Sequence, residues 1–103
     1  MTGELERAVM DILWSRSDPL SVRDVHQLVA VDRDLAYTTV MTVLDRLAKK
    51  GLVSRNLDGR AWLYRPVRSR AAEVASEVQE LLGRLSPGER QEVLATLGVA
   101  QRR

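Results

Sequence analysis

Hydrogen-bonding side chains recur between residues 36 and 50 at the spacing of one helix face. The residues are Thr38, Thr39, Thr42 and Arg46. A threonine can bond a phosphate or a base edge, its methyl can touch a thymine methyl, and an arginine can reach phosphate or guanine. The alternative is a solvated helix face, but such a face normally carries Glu and Lys rather than three β-branched residues of poor helix propensity. The pattern therefore favours a helix that reads DNA.

Four more basic residues are candidates for DNA contact: Lys49, Arg55, Arg60 and Arg23. Arg60 follows a predicted hairpin turn, and an arginine at such a tip commonly meets the DNA backbone or the minor groove. The alternative is that the hairpin lies in solvent and that its arginines serve only solubility. Arg23 opens the second predicted helix, where it can contact a phosphate or simply lie on the surface.

The distribution of charge agrees with a DNA-binding middle segment. Residues 36–70 hold 8 basic and 2 acidic groups, whereas the chain as a whole carries a net charge of only +2. The flanking segments, residues 1–35 and 71–103, are both mildly acidic. A basic segment between acidic ends suits a surface that binds a polyanion.

The composition argues against several other functions. The 103 residues contain no Cys and one His, so disulfides are excluded and a protein-only metal site is not expected. No glycine-rich phosphate loop, thiol nucleophile or catalytic triad is present, so we expect neither an enzyme nor a bound cofactor. No apolar run approaches a membrane span, and the N-terminus lacks the features of a signal peptide, so we expect a cytoplasmic protein without membrane insertion.

The aromatic residues and the histidine have competing interpretations. Trp62 and Tyr64 share one face of a predicted strand, where they could stack on bases, although anchoring of the hairpin on the core is favoured. Trp14 is expected in the core or in an interface. His26 is expected on the surface rather than as a switch.

Three helices must position these residues. Apolar spacings of three and four predict the first helix over residues 2–15, and a capping box at Ser21 and Asp24 predicts a second that extends to residue 29. The third begins between Asp34 and Tyr37, and Gly51 ends it in the left-handed conformation. Its predicted buried stripe consists of Val40, Val43, Leu44 and Leu47.

Beyond Gly51 the apolar period becomes two. Residues 52–57 and 61–67 read as strands, and the Asp58-Gly59 pair between them predicts a hairpin. Pro66 confines the second strand to an edge or an end. The predicted fold is therefore mainly α with a small antiparallel β wing, that is, a winged helix-turn-helix over residues 1–68.

The helical period returns in residues 69–103, which we expect to form a dimerisation region. A coiled-coil-like seam predicts one helix over residues 71–85, and a capping box at Ser86 and Glu89 starts another that Gly98 closes. Residues 100–103 are expected to fray. The candidate dimerisation residues are Val74, Val78, Leu81, Leu82, Leu85, Leu94 and Leu97.

Several motifs together resemble the penicillinase-repressor family of winged-helix regulators. They are ERAVMDILW at residues 6–14, AYTTVMTVLDRL at 36–47, KGLV at 50–53, and Arg60 with Tyr64. The resemblance covers about residues 4–67. The threonine-rich stretch followed by Lys-Gly-Leu is its most specific part, because many other winged helices lack it.

The resemblance implies a homodimer that binds an inverted repeat in double-stranded DNA, with TACA and TGTA half-sites, and blocks a promoter. It implies that the third helix enters the major groove and that the C-terminal helices dimerise. The family also suggests a membrane sensor protease that triggers release. The copper-responsive branch carries cysteine pairs, so the absence of Cys argues against copper as the signal. A winged helix that binds proteins and not DNA is the alternative function.

Overall fold

The computed structural model describes residues 3–31 and 33–99, which form five helices and three short strands. The helices are α1 Glu4–Trp14, α2 Val22–Val29, α3 Tyr37–Lys49, α4 Arg70–Gly83 and α5 Pro87–Leu97. The strands are β1 Leu20–Ser21, β2 Val53–Asp58 and β3 Ala61–Pro66. The predicted winged helix-turn-helix is confirmed. Thr2, at the predicted start of the first helix, and the tail at residues 100–103 lie outside the described residues.

The chain divides into two compact units, Met1–Arg70 and Ala71–Arg103. The first contains α1 to α3 and the sheet, and the second contains α5 and all of α4 except its first residue. No helix in the described part of the chain is long and apolar enough to cross a membrane.

Local capping chemistry sets the helix ends much as the sequence predicts. The Ser21 hydroxyl accepts from the Asp24 amide at 3.1 Å, and the Asp24 carboxylate accepts from the Ser21 amide at 3.0 Å. Ser86 and Glu89 form the same reciprocal pair at the start of α5. The hydrogen bond from Ser86 also lowers the pKa of the Glu89 carboxyl. Each box satisfies two amides that a helix start would otherwise leave unbonded.

The sheet has one more strand than the sequence predicts. β3 is central, with β2 antiparallel on one side and the two-residue β1 antiparallel on the other. Gly59 takes φ +63° in the tight turn between β2 and β3. A strand of two residues is too short to produce a period in the sequence, so its pairing partner alone defines it. β1 ties the start of α2 to the base of the wing.

The core of the first unit lies where the three helices meet the base of the hairpin. Its members are Val9, Met10, Leu13, Val22, Val25, Val29, Val40, Val43, Leu44, Leu47, Val53 and Tyr64. All four residues of the stripe predicted for α3 are among them. Full burial of each such side chain contributes about 1.5–3 kcal/mol, which fixes the buried side of α3 and therefore its exposed side.

The second unit has no comparable core. Neither α4 nor α5 contains a buried residue. Of the candidate dimerisation residues, Val74, Val78, Leu81 and Leu97 are exposed, and Leu82, Leu85 and Leu94 are half-buried. Two short helices that bury so little apolar surface are not expected to be stable alone.

Candidate nucleic-acid interface

The outward surface of α3 carries the predicted reading residues in two rows. Thr38, Thr42, Asp45 and Lys49 follow helical spacing along one row, and Thr39 with Arg46 forms a second row beside it. Thr38, Thr42, Arg46 and Lys49 are exposed, whereas Thr39 is half-buried.

The start of α3 has an unusual support. Ala36 is the N-cap and supplies no side-chain hydrogen bond, so Asp34, the better capping residue, is not the one used. Instead, His26 on α2 donates from Nε2 to the Leu35 carbonyl at 2.8 Å, and its ring meets the Tyr37 ring edge-on at 5.7 Å. The expectation of a surface role for His26 is therefore wrong, because the residue is half-buried and supports the turn before α3.

The hydroxyl of Thr42 is already engaged inside the helix. Its Oγ1 donates to the Thr38 carbonyl at 2.9 Å. With the donor occupied, Thr42 presents a methyl group and a hydroxyl oxygen that can only accept. Such a group suits contact with a thymine methyl or with a base amino group.

An open groove of about 790 Å³ runs between α3, the start of α2 and the wing. Its lining includes Arg23, Thr42, Arg55 and Arg60, four of the predicted DNA-binding residues. The remaining lining residues are Ser21, Val22, Tyr37, Met41, Asp45, Ala61, Trp62 and Tyr64. The fold therefore brings side chains from three separate segments to one concave surface.

The prediction that Trp62 packs on the core is wrong. Tyr64 is buried, but Trp62 remains 43% exposed and holds the Arg55 guanidinium 4.8 Å from its ring centroid. The strand register gives the reason: Tyr64 lies opposite Arg55, whereas Trp62 lies opposite Leu57, two residues nearer the tip and beyond the core. Counting residues from the Asp58-Gly59 turn could have revealed this difference.

The basic residues of the interface fall into two classes. Arg23, Arg46 and Arg60 make no ion pair with any residue in 3–31 or 33–99. Lys49 and Arg55 instead share the Asp45 carboxylate, at 3.2 Å and 3.8 Å respectively. The unpaired arginines are available to an external anion, whereas the other two already have a counter-charge.

A carboxylate at the other side of α3 is buried. Glu6 on α1 is 7% exposed, and it accepts from Lys50 Nζ at 2.8 Å and from the Gly3 amide at 3.3 Å. The hydrogen bond from Lys50 outweighs burial and holds the pKa of Glu6 below its usual value, with a smaller contribution from the charge of Arg46. This contact ties the end of α3 to α1.

Trp14 has a structural role within the first unit. It is half-buried, and its indole Nε1 donates to the Arg68 carbonyl at 2.9 Å. The Arg70 guanidinium lies 5.4 Å from its ring centroid and pairs with Asp11 at 3.1 Å. These contacts hold the segment that follows β3 against α1.

Sequence reasoning did not identify Tyr37, Met41 or Asp45 as groove residues. Tyr37 and Met41 are each 45% exposed. Because both side chains are largely apolar, the sequence did not suggest that they lie at a binding surface. Only the position of the wing shows which side of α3 lines the groove. Over the residues that the structure covers, no group of three His, Asp or Glu could hold a metal ion.

Comparison with known sequences gives consistent matches. The chain matches the family model described as penicillinase repressor over residues 2–102. It is 54% identical over 93 residues to the transcriptional regulator BlaI of Mycobacterium tuberculosis (strain CDC 1551 / Oshkosh). That alignment covers 89% of this chain and 67% of the relative.

Solved structures give the same fold. The DNA-binding domain of the repressor BlaI aligns with TM-score 0.62 and 25% identity, over 69% of this chain and 85% of that domain. The monomeric form of Bacillus licheniformis BlaI, in complex with the blaP half-operator, aligns with TM-score 0.59, the same identity and the same coverage. A MarR family protein from Bacillus stearothermophilus aligns over 98% of this chain and 62% of its own, with TM-score 0.58 and 22% identity, a likeness of fold alone.

Proposed function

Because the chain belongs to the penicillinase repressor family, we propose that it is a sequence-specific repressor that binds an inverted-repeat operator as a homodimer. The observation that carries this proposal is the groove beside α3, where the exposed Thr42 lies with Arg23 and Arg60, which form no ion pair with another residue that the structure describes. A helix with small hydrogen-bonding side chains outward, flanked by free arginines, fits a major groove about 12 Å wide.

The threonines are proposed to contact bases. Thr38 and Thr42 are exposed on the first row of α3, and Thr42 offers its methyl group and an acceptor. Thr39, which is half-buried on the second row, is placed for a base or phosphate at the edge of the contact. Arg46 lies on the same row, about two helical turns beyond Thr39, and is proposed to reach a phosphate or a guanine.

Three further basic residues, Arg60, Arg23 and Lys49, are proposed to orient the protein on the DNA backbone. Arg60 lies beyond the Gly59 turn at the wing tip, and Arg23 lies at the start of α2 on the other side of the groove. Lys49, in the last turn of α3, is exposed enough to meet a phosphate despite its pair with Asp45. Such contacts supply salt-dependent affinity that is common to all sequences.

The second unit is proposed to dimerise the protein. The exposed Val74, Val78 and Leu81 follow the alternating spacing of a helix–helix seam along α4. A dimer would place two recognition helices about one DNA turn apart, near 34 Å, and would match an inverted repeat. The Bacillus licheniformis relative binds half of an operator as a monomer, which fits one winged helix for each half-site.

The proposal includes no catalytic step. A membrane sensor protease is the further partner that the family suggests for release from DNA, and a cytoplasmic location follows from the same proposal. The identity of neighbouring genes would test the partner: a membrane metalloprotease encoded beside this chain is the expected finding, and its absence would argue for another signal.

Gel-shift titration tests the main proposal. The probes are a duplex with inverted TACA and TGTA half-sites, a target selected from a random duplex library, and an unrelated duplex of equal length. We expect the chain to bind at least one of the first two at least about 1,000-fold more tightly than the unrelated duplex at physiological salt. Arg46→Ala should weaken specific binding by about 1–3 kcal/mol if it contacts a base, and weaken all duplexes equally if it contacts a phosphate.

Two outcomes would contradict the proposal. Equal affinity for every duplex would mean binding without sequence recognition. No shift on any duplex at low salt, together with a stable protein complex in a pulldown, would favour the protein-interaction module instead. Gln27→Ala, an exposed polar change on α2 outside the groove, serves as the control.

A further inference from the structure

A single carboxylate lies in the middle of the proposed DNA-binding surface. Asp45 is the only acidic residue between residues 36 and 57. It lies on the same row of α3 as Thr38 and Thr42, and it lines the groove. A carboxylate facing a DNA backbone repels the phosphates, so its position there requires an explanation other than affinity.

The contacts of Asp45 extend from α3 to the wing. Its Oδ2 meets Lys49 Nζ at 3.2 Å, one turn along the helix, and its Oδ1 lies 3.8 Å from Arg55 Nη1 on β2. Arg55 in turn stacks on Trp62 of β3, with 4.8 Å from Cζ to the ring centroid. Asp45, Arg55 and Trp62 therefore form a chain of contacts from the recognition helix to both wing strands, which we call the wing strut.

The strand register explains why this chain of contacts can form. Arg55 lies opposite Tyr64, and Trp62 lies opposite Leu57, so Arg55 and Trp62 are diagonal neighbours on the same face of the hairpin. Tyr64 anchors that face in the core. Among the described residues, no member of the core lies nearer the tip than Tyr64, and the wing strut joins this part of the hairpin to α3.

In the free protein the wing strut contributes little to stability. The Asp45 and Arg55 side chains are 43% and 40% exposed, and their separation exceeds hydrogen-bond range. Exposed pairs of this kind contribute little to the free energy of unfolding, because water screens the two charges. DNA in the groove would exclude water, and the same pair would then interact more strongly. We therefore expect the Asp45–Arg55 pair to act mainly in the complex with DNA.

On the basis of the DNA-binding function proposed above, we propose that Asp45 is a positioning residue for specificity. Through Arg55 and Trp62 it holds the wing at a fixed distance from α3, so that Arg60 and Thr42 engage one register of DNA. Arg55 accordingly acts within the protein and not as a phosphate contact. The carboxylate lowers affinity for every duplex and raises discrimination between them.

Four variants test the inference by gel shift on the selected target and on an unrelated duplex. Asp45→Asn should raise affinity for the unrelated duplex by about two- to threefold, because it removes a repulsive charge. It should lower the ratio of specific to non-specific affinity by about five- to tenfold. Arg55→Gln should lower that ratio similarly without changing the dependence of affinity on salt. The double variant should resemble either single variant, because the two residues act as one unit.

Asp34→Asn is the matched control, since Asp34 is an exposed carboxylate just before α3 and outside the groove lining. It should raise both affinities together and leave their ratio unchanged. Urea unfolding should give all four variants the stability of the parent chain. The slope of the logarithm of affinity against the logarithm of salt concentration should not change in Arg55→Gln. A decrease of its magnitude by about 1 would show that Arg55 contacts a phosphate directly and would overturn the inference.

Three other outcomes would also overturn the inference. Additive losses in the double variant would mean that Asp45 reads a base itself. If the parent chain prefers the selected target and Asp45→Asn leaves the ratio of specific to non-specific affinity unchanged, the positioning role is rejected and the proposed DNA-binding function stands. A parent chain that binds both duplexes equally would reject the proposed function and the inference with it.

Discussion

At the scale of single residues, burial decides what each charged side chain can do. Glu6 and Glu4 lie on the same helix and both pair with a cation at 2.8 Å, yet the Glu6 side chain is 9% exposed and that of Glu4 is 82% exposed. A buried carboxylate depends on its partner, because water cannot replace it. Arg23, Arg46 and Arg60 form no ion pair within the described part of the chain, but they are exposed, so water solvates their charges until an external anion binds.

Glu6→Gln is expected to lower the free energy of unfolding by about 1–2 kcal/mol at neutral pH, since the hydrogen bond loses its charge while Lys50 stays half in water. The folded state holds the pKa of Glu6 below its usual value. The stability that the ionised Glu6 contributes is therefore fully present above the pKa of Glu6 in the unfolded chain. It is lost as the pH falls through the pKa of Glu6 in the folded chain. The difference between the parent chain and Glu6→Gln should shrink below about pH 4.

Urea unfolding at several pH values and one protein concentration measures this difference. Glu4→Gln is the matched control, and it should leave stability nearly unchanged, because its pair with Arg33 is solvated. A Glu6→Gln difference that persists unchanged at pH 3 would contradict the role of the ionised carboxylate.

At the scale of elements, the recognition helix depends on its neighbours at both ends. Its N-cap, Ala36, has no capping side chain, and His26 of α2 holds the preceding turn through the Leu35 carbonyl. Its other end follows the usual rules: Gly51 takes φ +78°, and the adjacent Lys50 reaches Glu6 on α1. The orientation of α3 is thus set by α1 and α2.

His26→Ala should loosen the first turn of α3, because it removes the hydrogen bond to Leu35 and the edge contact with Tyr37. We expect a loss of about 1–2 kcal/mol in unfolding free energy and faster amide hydrogen exchange at Thr39 and Val40. His26→Gln retains a donor near the position of Nε2 and should recover part of the protection. Exchange at these amides that is as slow in His26→Ala as in the parent chain would show that the turn does not need His26.

At the scale of the whole molecule, the two units differ in how they can be stable. Unit Met1–Arg70 contains the twelve-residue apolar core, whereas α4 and α5 hold no buried side chain. Surface that stays apolar and exposed in one chain commonly marks an interface. This difference supports the proposal that the second unit acquires its core from a second copy.

Leu81→Glu is expected to convert the dimer to single chains at micromolar concentration, because it places a charge in the apolar seam of α4. Sedimentation equilibrium measures the mass, and gel shift on full and half operators should show that the variant still binds a half-site weakly. Gln79→Glu introduces the same charge at an exposed polar position of α4 and is the control. A parent chain with the mass of one copy at that concentration would contradict the dimer.

The sequence alone determined the features that depend on local spacing. The capping boxes at Ser21 and Ser86, the buried stripe of α3 and the turn at Gly59 all follow from residues a few positions apart, so local patterns reveal them. The family resemblance likewise rests on contiguous motifs. The readers Thr38 and Thr42 were placed correctly on the exposed side of α3, because the apolar stripe defines the opposite side; their role in DNA contact stays a prediction.

Tertiary structure decided what depends on residues far apart in the chain. β1 exists only through its pairing with β3, and Glu6 accepts its hydrogen bond from Lys50, a residue far away in the sequence. His26 supports the start of α3 because the fold brings it to Leu35 and Tyr37. Trp62 lies outside the core because the strand register places it nearer the hairpin tip than Tyr64. Asp45 looked like one polar residue among several on α3. Only the packed position of the wing brings Arg55 to it, since no spacing along the chain specifies the distance between a helix and a hairpin.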